Sequence, residues 1–228
     1  NLDKYAKYFG LGSKTKIELP SETAGTLASP EAAKALKETW SSGQTLSASI
    51  GQSYNNFSPI QIAKYISMVA NGGSKVNPTI IKRILNSDGT ESSKTEINQF
   101  TKEKLGLQDE ETENLTFSES NISAVLAGMK SVTSDTGGTA YVRFKDFNIR
   151  VGGKTGSAEA PNNQVHAWFV GFAPFENPEI AIVVMVENGG HGNYTAEVVR
   201  DIMGEYFGMN TQDIEENMGA MIYTETLQ

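Results

Sequence analysis

A glycine-rich stretch, Gly152-Gly153-Lys154-Thr155-Gly156-Ser157, brings a lysine and two hydroxyl groups together within four residues. In a phosphate-binding loop, glycine, lysine and threonine end a segment whose backbone N–H groups wrap phosphates before a helix begins. That loop requires an earlier glycine where this chain has Asn148, and a strand-like run continues after Gly156. The stretch therefore favours serine acyl transfer, in which a Lys-Thr-Gly segment lies on a strand beside the catalytic serine.

The same stretch suits the binding of a peptide that ends in a carboxylate. An outer strand has free N–H and C=O groups that pair with an extended peptide, and small residues such as its glycines and Ala158 let that peptide approach closely. Lys154 supplies positive charge, while Thr155 and Ser157 supply hydroxyls. The alternative is an ordinary edge strand that uses a lysine to avoid aggregation. Strict alternation puts the two hydroxyls on the face opposite Lys154, so a site that uses all three requires strong twist or a bulge.

A second short motif, Asp135-Thr136-Gly137, matches the signature of aspartic proteases. Their chemistry needs two carboxylates that share one proton, and this chain has one such triplet, so it would have to dimerise. The triplet also follows a predicted helix and not a strand. We therefore predict a loop at the C-terminal end of that helix, which uses the freedom of glycine at positive φ.

The composition excludes several classes of function. The chain has 228 residues and a net charge of −8, from 19 basic and 27 acidic residues. Binding of nucleic acid needs clustered lysine and arginine, so no nucleic acid partner is expected. The absence of cysteine excludes disulfides and thiolate metal sites, and no cofactor is expected. The sequence contains no apolar run of about 18 residues, so nothing in it is expected to span a membrane.

The two histidines have separate predicted roles. His166 begins the strand after Lys-Thr-Gly, and His191 lies in a loop before the last helix. A structural hydrogen-bonding role is predicted for His166. A metal role with nearby aspartate or glutamate is the alternative for either histidine.

Capping residues and hydrophobic patterns predict the helices and strands. Helices are predicted over residues 3–9, from Ser29-Pro30, from Ser58-Pro59 to Asn71-Gly72-Gly73, from Ser120, and over residues 194–207; strands are predicted over 79–85, 149–158, 166–173 and 180–187, with an exposed turn region at 87–96. The short links between the last three strands join only antiparallel neighbours, so these strands form a meander with Lys-Thr-Gly on the outside. The final helix is expected to cover one face. Helices before and after an antiparallel sheet give the α+β class.

Longer blocks of the sequence resemble the class B penicillin-binding proteins. The family segment with Ile-Gly-Gln-Gly, Thr/Ser-Pro-x-Gln and Ala-Asn-Gly-Gly is similar to "IGQSYNNFSPIQIAKYISMVANGG". The stretch before it, Phe-Gly-Leu-Gly…Leu-Pro-x-Glu-x-x-Gly, is similar to "FGLGSKTKIELPSETAG". The family's Lys-Thr-Gly strand and the next strand are similar to "VGGKTGSAEAPNNQVHAWFVGFAP", and the penicillin-binding protein 2 subgroup, involved in cell elongation, is similar at "VENGGHGNYTAEVVRDIM". The resemblance covers residues 1–208.

The resemblance implies the α+β fold of penicillin-binding proteins and serine β-lactamases, with an antiparallel sheet flanked by helices. It also implies a peptidoglycan D,D-transpeptidase, in which a serine attacks the D-Ala-D-Ala carbonyl, D-alanine leaves, and the acyl group passes to an amine of a neighbouring stem peptide. Carried over to this chain, Lys154 supports the proton relay. Thr155, Gly156 and Ser157 bind the substrate, with the two hydroxyls on its carboxylate. The backbone N–H of Ser157 is one oxyanion-hole donor, and the N–H of the nucleophile is the other.

The resemblance does not supply a nucleophile within this chain. The S-x-x-K motif works because positions i and i+3 share a helix face, which lets the lysine take the serine's proton. The literal match Ser13-Lys14-Thr15-Lys16 sits in a glycine-broken loop, and Ser53-Tyr54-Asn55 matches S-x-N in a block that resembles another part of the family. In the family both true motifs lie upstream of the segment that residue 1 resembles, so the catalytic serine is expected outside this chain. Lys16 stands where the family commonly has glycine.

The resemblance further implies a cellular setting. Residues 1–208 are expected to be the C-terminal part of a transpeptidase domain and residues 209–228 an acidic tail. The expected partners are peptidoglycan stem peptides, β-lactam antibiotics, the upstream part of the same protein, and the cell-elongation machinery with its glycosyltransferase. The intact protein is expected on the outer face of a bacterial cytoplasmic membrane.

Two alternatives stay open at this point. One is a β-lactamase-like hydrolase or β-lactam sensor, against which the "IGQ…SPIQ" block argues. The other is a catalytically dead module that only binds partners in the cell-wall machinery. The chain alone is expected to be inactive in every case, because it lacks two of the three catalytic motifs.

Overall fold

The structure, a computed structural model, describes residues 2–105 and 117–209. The chain divides into two units at the boundary between residues 123 and 124. Residues 210–228, nearly all of the predicted acidic tail, lie outside the described residues. Within the described ranges, no helix combines the length and the hydrophobicity needed to cross a membrane.

The first unit is helical. Its helices are α1 (Leu2–Tyr8), α2 (Pro30–Ala35), α3 (Ser42–Ser49), α4 (Pro59–Ala70) and α5 (Lys94–Leu105). As predicted, Ser29 and Ser58 cap α2 and α4, because each side chain accepts a hydrogen bond from the backbone N–H three residues on. Gly72 and Gly73, at φ of 78° and 95°, turn the chain away after α4. These helix bounds follow from local signals in the sequence.

A fully buried glutamine on α4 ties the segments of the first unit together. The Nε2 atom of Gln61 donates to the carbonyl of Ser13 at 2.7 Å and to that of Ala24 at 2.8 Å. Its Oε1 atom accepts from the backbone N–H of Ser58 at 2.8 Å, which completes a capping box. Gln61 is fully buried and its two carbonyl partners are partly buried, so this one side chain links two loops to α4 through hydrogen bonds worth about 0.5–1.5 kcal/mol each.

A glutamate binds the loop that carries the Ser13–Lys16 match. The carboxylate of Glu22 accepts hydrogen bonds from the backbone N–H groups of Thr15 at 2.7 Å and Lys16 at 2.9 Å. Lys16 has a φ of 65°, in the left-handed region that glycine adopts without strain. The loop conformation therefore explains why the family commonly has glycine at this position.

The second unit contains the sheet. Its elements are α6 (Glu119–Ser134), which starts before the boundary, α7 (Tyr141–Phe144), β1 (Gly152–Ala160), a 3-10 turn (Pro161–Asn163), β2 (Gln164–Ala173), β3 (Ile180–Val186) and α8 (Asn193–Tyr206). The sheet order is β1-β2-β3, and both pairings are antiparallel. The predicted meander is confirmed, and so is the α+β class.

One face of this sheet is covered by α8, as predicted. Every second residue of β2 points toward the helix, and Phe169 is completely buried there. Its buried neighbours are Ala140, Phe144, Val151, Ala173, Ala196, Val199 and Met203. Burial of each large apolar side chain contributes about 1.5–3 kcal/mol to the stability of the fold, so the buried residues of β2 stabilise the strand with which β1 pairs.

The predicted strand at residues 79–85 is wrong. The segment forms a single bridge, between Leu85 and Glu91, and no described strand pairs with it. Its first polar groups bond to a side chain instead, because the carboxylate of Glu18 accepts from Thr79 Oγ1 at 2.7 Å and from the backbone N–H of Ile80 at 3.0 Å. Its β-branched composition indicated a strand, but these local hydrogen bonds replace a ladder.

The cap of α6 and the short helices also differ from prediction. Ser118, and not Ser120, caps α6, since its Oγ atom accepts from the N–H of Asn121 at 3.3 Å. Helices α3, α5 and α7 were not predicted, and α5 begins inside the predicted turn region. Helices α3 and α7 have eight and four residues, lengths at which a helix depends more on its surroundings than on its own sequence. Helix α5 begins with a capping box between Ser93 and Glu96, a local signal that the prediction overlooked.

Candidate functional site

The Lys-Thr-Gly segment lies on β1, at one edge of the sheet. β1 pairs with β2 from Gly152, opposite Phe172, to Ala160, opposite Gln164. No strand of the described chain pairs with its other edge. The prediction of an outer strand is confirmed, and an outer strand is the kind of element to which an extended peptide adds.

The two hydroxyl residues of the segment share one face of β1. Thr155 lies opposite Phe169 and Ser157 opposite Ala167, both on the face that α8 covers, whereas Lys154 lies opposite Val170 on the other face. The pairing is one to one along the whole strand, so there is no bulge.

The side chain of Lys154 reaches the neighbouring residue without a bulge. Its Nζ atom donates to the carbonyl oxygen of Thr155 at 2.7 Å. Lys154 is exposed and Thr155 is half-buried. This contact, and not a distortion of the strand, brings the positive charge beside the threonine.

The glycines of β1 are required by the aromatic rings beneath them. A Cβ atom on Gly152 would collide with the ring of Phe172, and one on Gly153 would lie 2.6 Å from the ring of Phe169. Both glycines are buried. Their role in the structure is close packing of β1 onto β2, which differs from the expectation that they clear space for a peptide.

A loop glycine holds the middle of the segment from the α8 side. Gly192, the N-cap residue of α8, is buried, and a Cβ atom there would lie 2.6 Å from the carbonyl oxygen of Gly156 and would also collide with that of Trp168. Thr195 Oγ1 donates to the carbonyl of Gly192 at 2.7 Å. The start of α8 therefore rests directly on the Lys-Thr-Gly backbone.

His166 anchors the loop that leads into α8. Its Nδ1 atom accepts a hydrogen bond from the backbone N–H of Asn188 at 3.1 Å, which confirms the predicted structural role. The N–H of Gly190 donates to the carbonyl of Val165 at 3.0 Å, so the loop is fixed at two points. Among the described residues, no group of three or more His, Asp or Glu side chains is arranged to hold a metal ion.

A second loop holds the segment through a pair of hydroxyls. Thr139, just before α7, has its Oγ1 atom 2.8 Å from the Oγ1 atom of Thr155. The predicted loop at Asp135-Thr136-Gly137 is confirmed, since α6 ends at Ser134. The prediction that a glycine of this loop adopts a positive φ is wrong, because neither Gly137 nor Gly138 has one.

Neither literal match to the missing motifs has the geometry of a nucleophile. Ser13 and Lys16 lie in a loop and not on a helix, so they do not share a helix face. Ser53 has a φ of 69°, and its Oγ atom is buried without a hydrogen-bond partner. Asn55 is used structurally, since its Oδ1 atom accepts from the N–H of Ala28 at 2.9 Å. This geometry supports the prediction that both matches are decoys.

The family is decided by comparison with known proteins. Residues 1–204 match the family described as penicillin binding protein transpeptidase domain. The chain belongs to this family. The transpeptidase domain match includes both units, the motif blocks of the first and the Lys-Thr-Gly strand of the second.

Individual relatives agree with the family. The peptidoglycan D,D-transpeptidase MrdA of Haemophilus influenzae is 31% identical over an alignment of 232 positions, which covers 94% of this chain and 34% of that protein. Penicillin-binding protein 2 of Pseudomonas aeruginosa, solved in complex with WCK 5153, gives a TM-score of 0.74 at 31% identity, over 90% of this chain and 43% of that one. Penicillin-binding protein 2 of Helicobacter pylori, solved in a complex with MreC, gives 0.69 at 26% identity, over 92% and 36%. The transpeptidase fold is therefore confirmed, and this chain spans about a third of the length of its curated relative.

Two residues of the site were not identified from the sequence. Thr139 and Gly192 contact the Lys-Thr-Gly strand from loops that are distant along the chain. The only sequence signal in these loops was a glycine next to the end of a predicted helix. Such a glycine indicates a turn but does not identify the residues that the turn contacts.

Proposed function

We propose that this chain forms one wall of the active site of a peptidoglycan D,D-transpeptidase. The observation that carries the proposal is the Lys-Thr-Gly strand at an unpaired sheet edge, in a chain that belongs to the transpeptidase family. A relative with 31% identity carries the name of this activity. An edge strand with a positive charge and hydroxyls suits the D-Ala-D-Ala end of a stem peptide, which is extended and has a terminal carboxylate.

In this proposal the strand residues have separate tasks. The peptide pairs with the outer edge of β1, and Thr155 and Ser157 donate hydrogen bonds to its carboxylate. Gly156 leaves room above the strand. Lys154 provides positive potential and supports the proton relay. The backbone N–H of Ser157 stabilises the oxyanion of the tetrahedral intermediate, an interaction whose loss typically costs about 2.7–4 kcal/mol.

The nucleophile in this proposal is a serine outside residues 1–228. It attacks the carbonyl of the penultimate D-alanine, the terminal D-alanine leaves with a proton, and the acyl group passes to an amine of a second stem peptide. The geometry of Ser13 and of Ser53 supports this placement, since neither has a lysine on a shared helix face. β-Lactams acylate the same serine.

The wider setting follows from the same family. We infer that the full-length protein works at the outer face of a bacterial cytoplasmic membrane, with the cell-elongation machinery and a glycosyltransferase. Support comes from a relative solved in a complex with MreC and from another solved in a peptidoglycan synthase complex.

Labelling with a fluorescent penicillin tests the proposed function. The full-length protein that carries this sequence is expected to form a stable covalent adduct. Lys154→Ala is expected to slow labelling by about 100-fold or more, the range of general acid–base contributions, with an unchanged circular dichroism spectrum. Lys145→Ala is the matched control, because Lys145 is a surface lysine of the same unit that contacts only Asp146 among the ion pairs described.

The lifetime of the adduct separates the alternatives. A stable adduct supports the transpeptidase, rapid turnover supports a β-lactamase-like hydrolase, and the absence of an adduct supports a catalytically dead module. Equal labelling of the Lys154→Ala variant and the wild type would show that β1 is not a wall of the site.

A further inference from the structure

The hydroxyl of Thr139 lies within hydrogen-bonding distance of the proposed carboxylate-binding hydroxyl. The two Oγ1 atoms, of Thr139 and Thr155, are 2.8 Å apart, and either one can be the donor. Thr139 is exposed and Thr155 is half-buried, so a ligand can approach the pair from solvent. The contact joins a loop to the strand across 16 residues of sequence.

The backbone on both sides of Thr139 is fixed. The N–H of Ala140 donates to the carbonyl of Val132 at 3.0 Å, and the N–H of Gly138 donates to the carbonyl of Asp135 at 2.8 Å. A Cβ atom on Gly138 would collide with the carbonyl of Val132, so only glycine fits there. Ala140 is 1% exposed. The hydroxyl of Thr139 is therefore presented to β1 by a loop that is itself packed on the end of α6.

A hydroxyl pair of this kind controls where a proton points. Each threonine hydroxyl has one proton and two acceptor sites. When Thr139 donates to Thr155, the proton of Thr155 is free to donate to a third group, and the first bond polarises the second. A carboxylate, which only accepts, favours this arrangement because it receives a charge-assisted hydrogen bond. Ser157 is two residues along on the same face of β1, within reach of the same anion.

We propose that Thr139 is a positioning residue for the carboxylate subsite: its hydroxyl orients that of Thr155, so that the site selects ligands with a free terminal carboxylate. This inference rests on the proposed transpeptidase function. It assigns a role to the glycine-rich loop after α6, which the acyl-transfer chemistry otherwise leaves without one.

The test compares acylation of the full-length protein by benzylpenicillin and by its methyl ester. Thr139→Val keeps the shape of the side chain but removes the hydroxyl, and it is expected to lower the acylation rate constant for the free acid by about threefold to tenfold, the effect of losing the one neutral hydrogen bond that orients the hydroxyl of Thr155. The rate for the ester is expected to change by less than about twofold, because the ester offers no carboxylate charge. Thr139→Ser is expected to restore the rate for the acid.

Two controls separate positioning from damage to the fold. Thr136→Val, in the same loop and also exposed, is expected to leave both rates unchanged. In a Thr155→Val background, Thr139→Val is expected to have little further effect on the rate for the acid, because Thr139 acts through Thr155.

The outcomes that overturn the inference are distinct from failure of the proposed function. An equal loss for acid and ester, or no loss for the acid, would refute the role of Thr139 while the transpeptidase assignment stands. A loss for Thr139→Val that persists undiminished in the Thr155→Val background would refute it as well. A wild-type protein that forms no penicillin adduct would overturn both.

Discussion

At the scale of single residues, seven described non-glycine residues have a positive φ, and two of them, Lys16 and Ser53, stand where the similar family segments have glycine. Lys16 and Ser53 have φ values of 65° and 69°. Ser53 stands at the last position of the Ile-Gly-Gln-Gly block, where the similar family segment has glycine. A left-handed conformation costs an L-residue roughly 1–2 kcal/mol. Both substitutions therefore store strain in the first unit without touching the chemistry.

Ser53→Gly is expected to stabilise the protein by about 1–3 kcal/mol, because it removes both the strain and a buried hydroxyl that has no partner. Ser53→Ala removes the hydroxyl but keeps the Cβ atom, so it is expected to recover only part of this gain. Urea unfolding of the three proteins measures both effects. A Ser53→Gly variant less stable than the wild type would show that the serine makes a favourable interaction.

Residue identities were predicted where the signal was local. Ser29 and Ser58 predicted the starts of two helices, because a capping serine followed by proline favours the start of a helix at that position. Lys154 and Thr155 were found because their motif is contiguous. The contact between the hydroxyl of Thr139 and Thr155 was not predicted, since nothing near residue 139 in the sequence identifies a partner on β1.

At the scale of elements, β1 is the part of the fold that the account depends on. It lies on β2 through two buried glycines, and it is held from loops by Thr139 and by Gly192. Its strand type and edge position followed from the period of the sequence and from short links. The exact position of β1 relative to β2 and to these loops is set by tertiary packing, which no periodic pattern in the sequence predicts.

Gly192→Ala is expected to disturb the Lys-Thr-Gly backbone, because the added Cβ atom would lie 2.6 Å from the carbonyl oxygen of Gly156. Overpacking of this kind costs about 1–3 kcal/mol, and a shift of the strand should slow penicillin labelling. Gly137→Ala is the matched control, since a Cβ atom there meets nothing within 4 Å. Wild-type labelling and melting temperature in Gly192→Ala would mean that the α8 start does not press on the strand.

At the scale of the whole molecule, the two units divide the work. The first holds family motif blocks in which polar residues, such as Gln61 and Glu22, bond to the backbone of loops. The second holds the Lys-Thr-Gly strand, to which the proposed chemistry is assigned. The apolar strand β3 has no partner on its outer edge within the described chain, which is a hazard for association, so experiments belong in the full-length protein.

The composition of the chain limited the classes of function without identifying one. A net charge of −8 argued against nucleic-acid binding, and the absence of cysteine excluded thiolate metal sites, but neither feature indicated a reaction. The reaction was inferred from six contiguous residues and from the resemblance of longer blocks. The place of the catalytic serine was implied by the resemblance to the family, and the geometry of the Ser13 and Ser53 matches agrees with it.

The most direct measurement is the position of the acyl group after labelling. The full-length protein is treated with benzylpenicillin, digested, and its peptides are analysed by mass spectrometry. The account predicts one penicilloyl-serine in a peptide outside residues 1–228, with a lysine three residues after it. An acyl group on Ser13, on Ser53 or on any other serine of residues 1–228 would contradict this assignment.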